Sequence, residues 1–113
     1  MSEEKKLGKI SSAKFGVGGY QDAMIGLHLS FTMEGSGVNQ SKCAWDQNII
    51  KCSEHCKWTE EDRSRDYAEI MRFVSDLLYQ SKKDDVSKLV GVPVELTFDG
   101  MTLKDWRVLT EVL

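Results

Sequence analysis

Residues 59–83 form the segment that most constrains what this chain can fold into. Its apolar residues recur at intervals of three and four, as one face of an amphipathic α-helix requires; they are Tyr67, Ile70, Met71, Val74, Leu77 and Leu78. Thr59 can cap the first turn, with Asp62 as its partner in a capping box. We therefore predict one long helix over residues 59–83.

Alternating segments on both sides of this helix predict strands. Residues 9–15 and 22–33 precede it, and the second alternates apolar with mixed residues along its length. Residues 92–98 alternate again, and Asp99 with Gly100 predicts a two-residue hairpin turn. Beyond that turn, a bulge near Asp105 would place Trp106 on the same face as Leu103, and without a bulge Trp106 would face the other side of the sheet.

These elements predict an α+β fold with the order ββαββ. Its antiparallel sheet consists of two N-terminal strands and a C-terminal hairpin, and the sheet packs on the long helix. The 113 residues suffice for a single domain, 1–113. Residues 1–8 are polar and predict a flexible arm, and residues 34–58 predict a long loop.

One helix covers only one face of such a sheet. The other face has Met24, Trp45 and Trp106 as its candidate apolar residues. An uncovered face with apolar residues is typical of an interface between copies, so we predict a homo-oligomer.

Composition narrows the cellular setting and the partners. The net charge of −3 argues against nucleic acid as the main partner. No apolar stretch is long enough to span a membrane, and the first residues lack the apolar region of a secretory signal. Three cysteines, an odd number, argue against a disulfide framework. Together these features predict a cytoplasmic protein without a membrane partner.

Glycines at positions 16, 18 and 19 interrupt the chain between the first two strands. Such a pattern can belong to a phosphate-binding loop, but that loop needs a helix directly after it, and a Walker motif also needs a lysine. Neither follows here, so a hairpin connection is the favoured interpretation.

The same turn holds the residues that we predict to bind a ligand. An aromatic ring, an amide and a carboxylate directly after flexible glycines offer stacking and hydrogen bonds that folding does not require. The predicted ligand-binding residues are Gly18, Gly19, Tyr20, Gln21 and Asp22, with Trp58 and Arg107 as further members. This favours a non-enzymatic binding protein without a cofactor.

A cluster of metal-ligand types supports a second hypothesis. Cys43, Cys52, His55 and Cys56 form the set of three thiols and one imidazole that suits structural zinc. Zinc would also explain how a long loop with few apolar residues stays ordered. The adjacency of His55 and Cys56 strains a shared tetrahedron. A small enzyme that uses Cys56 or His28 is the third hypothesis, although the sequence shows no partner to orient either group.

Several segments resemble a family of small phage and prophage proteins that generally lack an assigned function. They are FGVGGYQDAM at residues 15–24, KWT at 57–59, KLVGVPVE at 88–95 and LKDWRVLTE at 103–111. The resemblance omits residues 38–56, where the cysteines lie. It implies an accessory protein of the bacterial cytoplasm, which inhibits host defence by binding a host protein or by sequestering a small signalling molecule.

Overall fold

The computed structural model describes residues 3–50 and 57–113 of the chain. In this part of the chain five strands and one α-helix are present: β1 Glu3–Gly18, β2 Met24–Met33, β3 Ser36–Trp45, α1 Glu60–Ser81, β4 Pro93–Asp99 and β5 Thr102–Val108. Short 3₁₀ turns span Tyr20–Asp22, Val86–Leu89 and Thr110–Val112. All neighbouring strands are antiparallel, in the order β3-β2-β1-β4-β5. The predicted α+β class with an antiparallel sheet is confirmed.

The predicted order ββαββ is wrong by one strand, because β3 lies inside the predicted loop 34–58. This strand pairs with β2 without interruption, from Met24 opposite Trp45 to Met33 opposite Ser36. Its inner positions include Gln40 and Lys42, so the alternation of apolar residues that marks a half-buried strand is missing.

The predicted flexible arm 1–8 is also corrected over its described residues. Strand β1 begins at Glu3, and residues 3–9 pair with β4. Charged residues on both faces hide this strand in the sequence, but main-chain pairing does not depend on side-chain polarity. Lys6 lies opposite Leu96, and its ammonium is 5.7 Å from the centre of the Phe98 ring.

The sheet has an inner face, which packs on α1, and an outer face. Side chains on the inner face of β2 and β4 form the core together with the helix and Ile10, as strand alternation requires. The largest fully buried apolar side chains are Phe31, Ile10, Leu27, Leu89, Leu96 and Val94. Ala13, Phe15 and Val17 of β1 lie on the inner face, opposite Leu29, Leu27 and Ile25.

Helix α1 closely matches its prediction. The Thr59 hydroxyl accepts a hydrogen bond from the Asp62 amide at 3.1 Å, and the Asp62 carboxylate accepts one from the Thr59 amide at 3.0 Å. This capping box lowers the pKa of Asp62. The buried stripe contains Ile70, Val74 and Leu77. Met71, predicted to share that stripe, is 60% exposed.

The sheet curls, so that its last strand reaches the helix and β2 across the core. The Trp106 ring of β5 lies 4.8 Å from the Phe31 ring and 6.2 Å from the Phe73 ring, centre to centre. The predicted bulge makes this possible: Thr97 pairs with Asp105 and Phe98 with Leu103, which leaves Lys104 as the extra residue. Trp106 therefore belongs to the inner face and not to the outer face.

The hairpin turn itself is shifted by one residue from its prediction. Asp99 pairs with Thr102, so the two turn residues are Gly100 and Met101. Gly100 has a φ of 63°, a conformation that glycine adopts at little cost. In the described ranges, no helix combines the length and the apolar character that crossing a membrane requires.

Candidate functional site

The glycine turn connects β1 to β2 as a hairpin, which confirms the favoured interpretation. Gly18 pairs with Met24, and a single 3₁₀ turn of three residues, Tyr20–Asp22, spans the gap. Gly19 has a φ of 69°, and Gln21 and Asp22 have φ values of 55° and 52°. Left-handed conformations at two non-glycine residues are strained, and such strain recurs at binding sites. No long helix opens after the glycines, so the turn is not a phosphate-binding loop.

A groove of about 430 Å³ begins at this turn and runs over the outer face of β1, β2 and β3. We call it the outer groove. Most of its lining side chains are polar, and it includes two of the predicted ligand-binding residues, Gly18 and Gly19. Its lining residues are Ser12, Lys14, Gly18, Gly19, His28, Leu29, Ser30, Asn39 and Ser41.

His28 lies at the centre of the outer groove with both ring nitrogens engaged. Its Nε2 is 3.2 Å from the Gly16 carbonyl oxygen, and its Nδ1 is 3.0 Å from the Ser41 hydroxyl. A carbonyl oxygen only accepts, so in the neutral ring Nε2 carries the proton and Nδ1 accepts from Ser41. The ring is therefore held in one orientation by two neighbouring strands.

Two glycines leave the space that the His28 ring occupies. A Cβ atom at Gly18 would stand 3.3 Å from His28 Nε2, and one at Gly19 would stand 3.4 Å from His28 Cε1. Larger side chains here would fill the groove above the ring. Both glycines thus allow close approach of a side chain of the protein itself, the His28 ring.

Lys14 supplies the cation of the outer groove. Its ammonium donates to the Val17 carbonyl oxygen at 2.7 Å. The side chain reaches that oxygen over Gly16, where an added Cβ atom would lie 3.6 Å from Lys14 Cε. An ammonium has three donors, so the same group can still donate to a ligand.

An aromatic pair stands at the turn end of the outer groove. The Tyr20 ring meets the Trp45 ring edge to face, with centres 6.2 Å apart and an angle of 75° between the planes. Tyr20 is 66% exposed. Trp45 pairs with Met24 on the outer face, where the sequence placed both residues. The pair offers an accessible ring edge and face beside the polar groups.

The two remaining predicted site residues lie elsewhere. Trp58 precedes α1, where its indole N–H donates to Asp66 and Arg63 stacks on its ring at 4.9 Å. Arg107 lies on β5, opposite Glu95, which in turn pairs with Leu7. From Leu7 to Gly18 strand β1 rises roughly 35 Å. Arg107 therefore does not share a site with the glycine turn.

Arg107 instead anchors the C-terminal 3₁₀ turn. Its guanidinium donates to both Glu111 carboxylate oxygens, at 3.0 and 2.8 Å, and to Glu95 at 3.2 Å. These hydrogen bonds raise the pKa of Arg107 and lower the pKa of Glu111 to about 2. Such engagement indicates a structural role.

Of the four predicted zinc ligands, only Cys43 lies within the described residues; Cys52, His55 and Cys56 lie outside them. Cys43 is half-buried on the outer face of β3, and its thiol donates weakly to the Met24 sulfur at 3.8 Å. Burial raises the pKa of this thiol, which opposes the thiolate that zinc binds. Within residues 3–50 and 57–113 no three side chains of metal-ligand type come together.

A second, more apolar cleft of about 250 Å³ opens on the inner side, between α1 and the glycine end of the sheet. Phe15, Ile25, Tyr67 and Met71 line it, beside the buried Asp46 carboxylate. Asp46 accepts from the Asn48 amide at 2.8 Å, which fixes the turn after β3. We place the candidate site in the outer groove, because it contains two of the predicted ligand-binding residues, Gly18 and Gly19, and the cleft contains none.

Sequence reasoning located the glycine turn but missed Lys14, Asn39 and Ser41. These side chains come from β1 and from the unpredicted β3, and only strand pairing brings them beside His28. The signal available was the polar alternate positions of β2, which face the groove. In the comparisons with known proteins no family model, no curated protein and no solved structure matches the chain.

Proposed function

We propose that this chain is a non-enzymatic binding protein that holds a small polar ligand in the outer groove. The convergence of an imidazole, an ammonium, three hydroxyls and an amide beneath two glycines carries this proposal. Polar groups on a sheet face have no need of a groove for folding, whereas a ligand needs both the space and the donors.

The hydrogen bonds within the groove support binding rather than catalysis. A general base needs a nitrogen that can reach its substrate's proton, and both nitrogens of His28 already contact protein groups. Ser30 likewise donates to the Asn39 side-chain oxygen at 2.8 Å. These bonds fix the lining side chains before a ligand arrives, which lowers the entropy lost on binding.

The biological role that we propose follows from the resemblance to phage proteins. In an infected bacterium the protein would sequester a small signalling molecule of the host and thereby inhibit a defence response. The outer groove is the place at which that molecule would be held. Sequestration requires affinity and abundance but no turnover, in keeping with a binding site that lacks a free base.

Native mass spectrometry of protein purified from bacterial cells tests the proposal. The wild-type chain should carry an added small-molecule mass that disappears on denaturation. Gly18→Val should lose this mass, because its side chain would occupy the space above His28. Thr32→Val, which changes an exposed outer-face residue of β2 beyond the groove lining, should retain it.

Thermal melting of each variant shows whether the fold is retained. If Gly18→Val does not fold, Tyr20→Ala replaces it, since Tyr20 is exposed at the end of the groove. An added mass that persists in the folded groove variant, or wild-type protein without any added mass, would contradict the proposal. One zinc ion per chain would instead support the module built from Cys43, Cys52, His55 and Cys56.

A further inference from the structure

The outer face of β1–β3 carries basic side chains, although the chain as a whole is acidic. The protein has 18 acidic and 15 basic residues. On the outer positions of β1 from Lys9 onward, of β2 and of β3, however, the described strands carry no Asp or Glu. The charged and titratable side chains there are Lys9, Lys14, His28 and Cys43. Strands that carry lysines and no carboxylate favour an anionic ligand, and the Asp22 carboxylate lies in the turn at the aromatic end of the groove.

The donors at the centre of the outer groove suit a phosphate group. Lys14 has donors to spare beyond its bond to Val17, and its ammonium is a compact charge of the kind that binds phosphate. The Ser12 hydroxyl, which lines the same groove, offers a further donor.

The aromatic pair lies at a set distance from these donors. His28 and Met24 are both on the outer face of β2, and Trp45 is paired with Met24. Four residues of strand, roughly 13 Å of backbone, separate His28 from Met24, and the His28 ring leans towards the turn, within 3.4 Å of the Cβ positions of Gly18 and Gly19. A ligand that contacts both ends therefore carries its charge and its planar ring on opposite ends of the molecule. The exposed Tyr20 ring can stack on that planar ring.

We infer that the outer groove binds a nucleotide, with its phosphate at Lys14 and its base at Tyr20 and Trp45. This inference rests on the proposed function and specifies its ligand class. It uses side chains of the sheet face, in contrast to a phosphate-binding loop, which uses the amides of a helix start. The glycine turn contributes space rather than donors.

Isothermal titration with three probes tests the inference: adenosine monophosphate, adenosine and inorganic phosphate. The monophosphate should bind more tightly than either part alone, and its affinity should fall as sodium chloride is raised. Lys14→Gln should lower the affinity for the monophosphate about tenfold, because one charge-assisted contact is lost. Lys83→Gln removes the same charge from an exposed position after α1 and should leave the affinity unchanged.

Tyr20→Ala tests the contact with the base separately from the contact with the phosphate. This substitution should weaken the binding of adenosine and of the monophosphate and leave the binding of inorganic phosphate unaffected. Equal affinity for adenosine and the monophosphate, or an unchanged affinity in Lys14→Gln, would overturn the nucleotide assignment. If the native mass spectrum still shows a small molecule that Gly18→Val excludes, the binding function stands and only the ligand class is wrong. If the monophosphate does not bind and the native mass spectrum shows no small molecule, the groove is not a binding site.

Discussion

At the scale of single residues, Gly26 is constrained by the neighbouring strand. A glycine inside a strand can mark a bulge, but the register through Gly26 is continuous, so there is no bulge. Instead the backbone of β3 approaches directly. A Cβ atom at Gly26 would stand 2.3 Å from the Lys42 carbonyl oxygen and 2.6 Å from Cys43 Cα. Contact with backbone cannot be relieved by a rotamer change.

Gly26→Ala should therefore destabilise the protein by about 3 kcal/mol, because β2 and β3 must separate locally. Gly35→Ala is the matched control. Gly35 also has a positive φ, of 78°, but an added Cβ atom there meets nothing within 4 Å. Gly35→Ala should lower the free energy of unfolding by only about 1 kcal/mol, through backbone strain. Urea unfolding measures both, and equal losses would show that the close approach in β2 has no energetic consequence.

The candidate site shows which residues a sequence can reveal. Glycine at three of four positions is visible as a pattern, and Gly18 and Gly19 do line the outer groove. Trp58 and Arg107 were predicted as further members of the site and do not lie in the groove. Each is engaged locally, by Asp66 and by Glu111. Such local partners become visible only when the strand and helix positions are known.

At the scale of elements, apolar alternation determined what could be predicted. Strands β2 and β4 alternate strictly, and both were predicted. Strand β3 was missed because it is an edge strand: the inner position Lys42 reaches past the core to Glu69 of α1, at 3.5 Å. A lysine stem can cover apolar surface while its charge reaches water. The polar residues Gln40 and Lys42 thus interrupt the apolar pattern of a strand that still reaches the core through Val38 and Ala44.

The C-terminal 3₁₀ turn depends on an ion pair that acid should break. The Arg107 hydrogen bonds lower the pKa of Glu111 to about 2, from an ordinary 4.5. A carboxyl whose pKa is lower in the folded state stabilises the fold above its ordinary pKa, and this contribution is lost as the pH falls towards the folded value. The stabilisation should thus be complete above about pH 5 and should fade between pH 4.5 and 2.

Glu111→Gln tests this dependence through melting temperatures measured from pH 6 to pH 2. At pH 6 the wild type should have a higher melting temperature than the variant, and the two melting temperatures should converge as the pH falls. Glu34→Gln removes an exposed charge from the turn between β2 and β3 and serves as the control. A constant difference between wild type and Glu111→Gln across this pH range would contradict the assignment.

At the scale of the whole molecule, the curl of the sheet explains how one helix suffices. Helix α1 packs on β3 and β2 on one side, and β5 bends round to meet Phe73 on the other. The outer face then carries the polar groove over β1–β3 and the ion pairs of Arg107 with Glu95 and Glu111 over β4–β5. The predicted homo-oligomer relied partly on Trp106 at the outer face, where it does not lie. Met24 and Trp45 remain as its candidate contacts.

Trp106 should therefore be the tryptophan that stability depends on most among those placed in the sheet. Its ring contacts Phe31 of β2 and Phe73 of α1 and so joins β5 to both elements. Removal of the ring would leave a cavity between β5, β2 and the helix. Trp106→Ala should cost about 3 kcal/mol or more. Trp45→Ala removes a half-buried indole of the outer face and should cost clearly less. Both values come from urea unfolding monitored by circular dichroism. A larger loss for Trp45→Ala would mean that the aromatic pair beside the groove, and not the curl closed by Trp106, holds the sheet together.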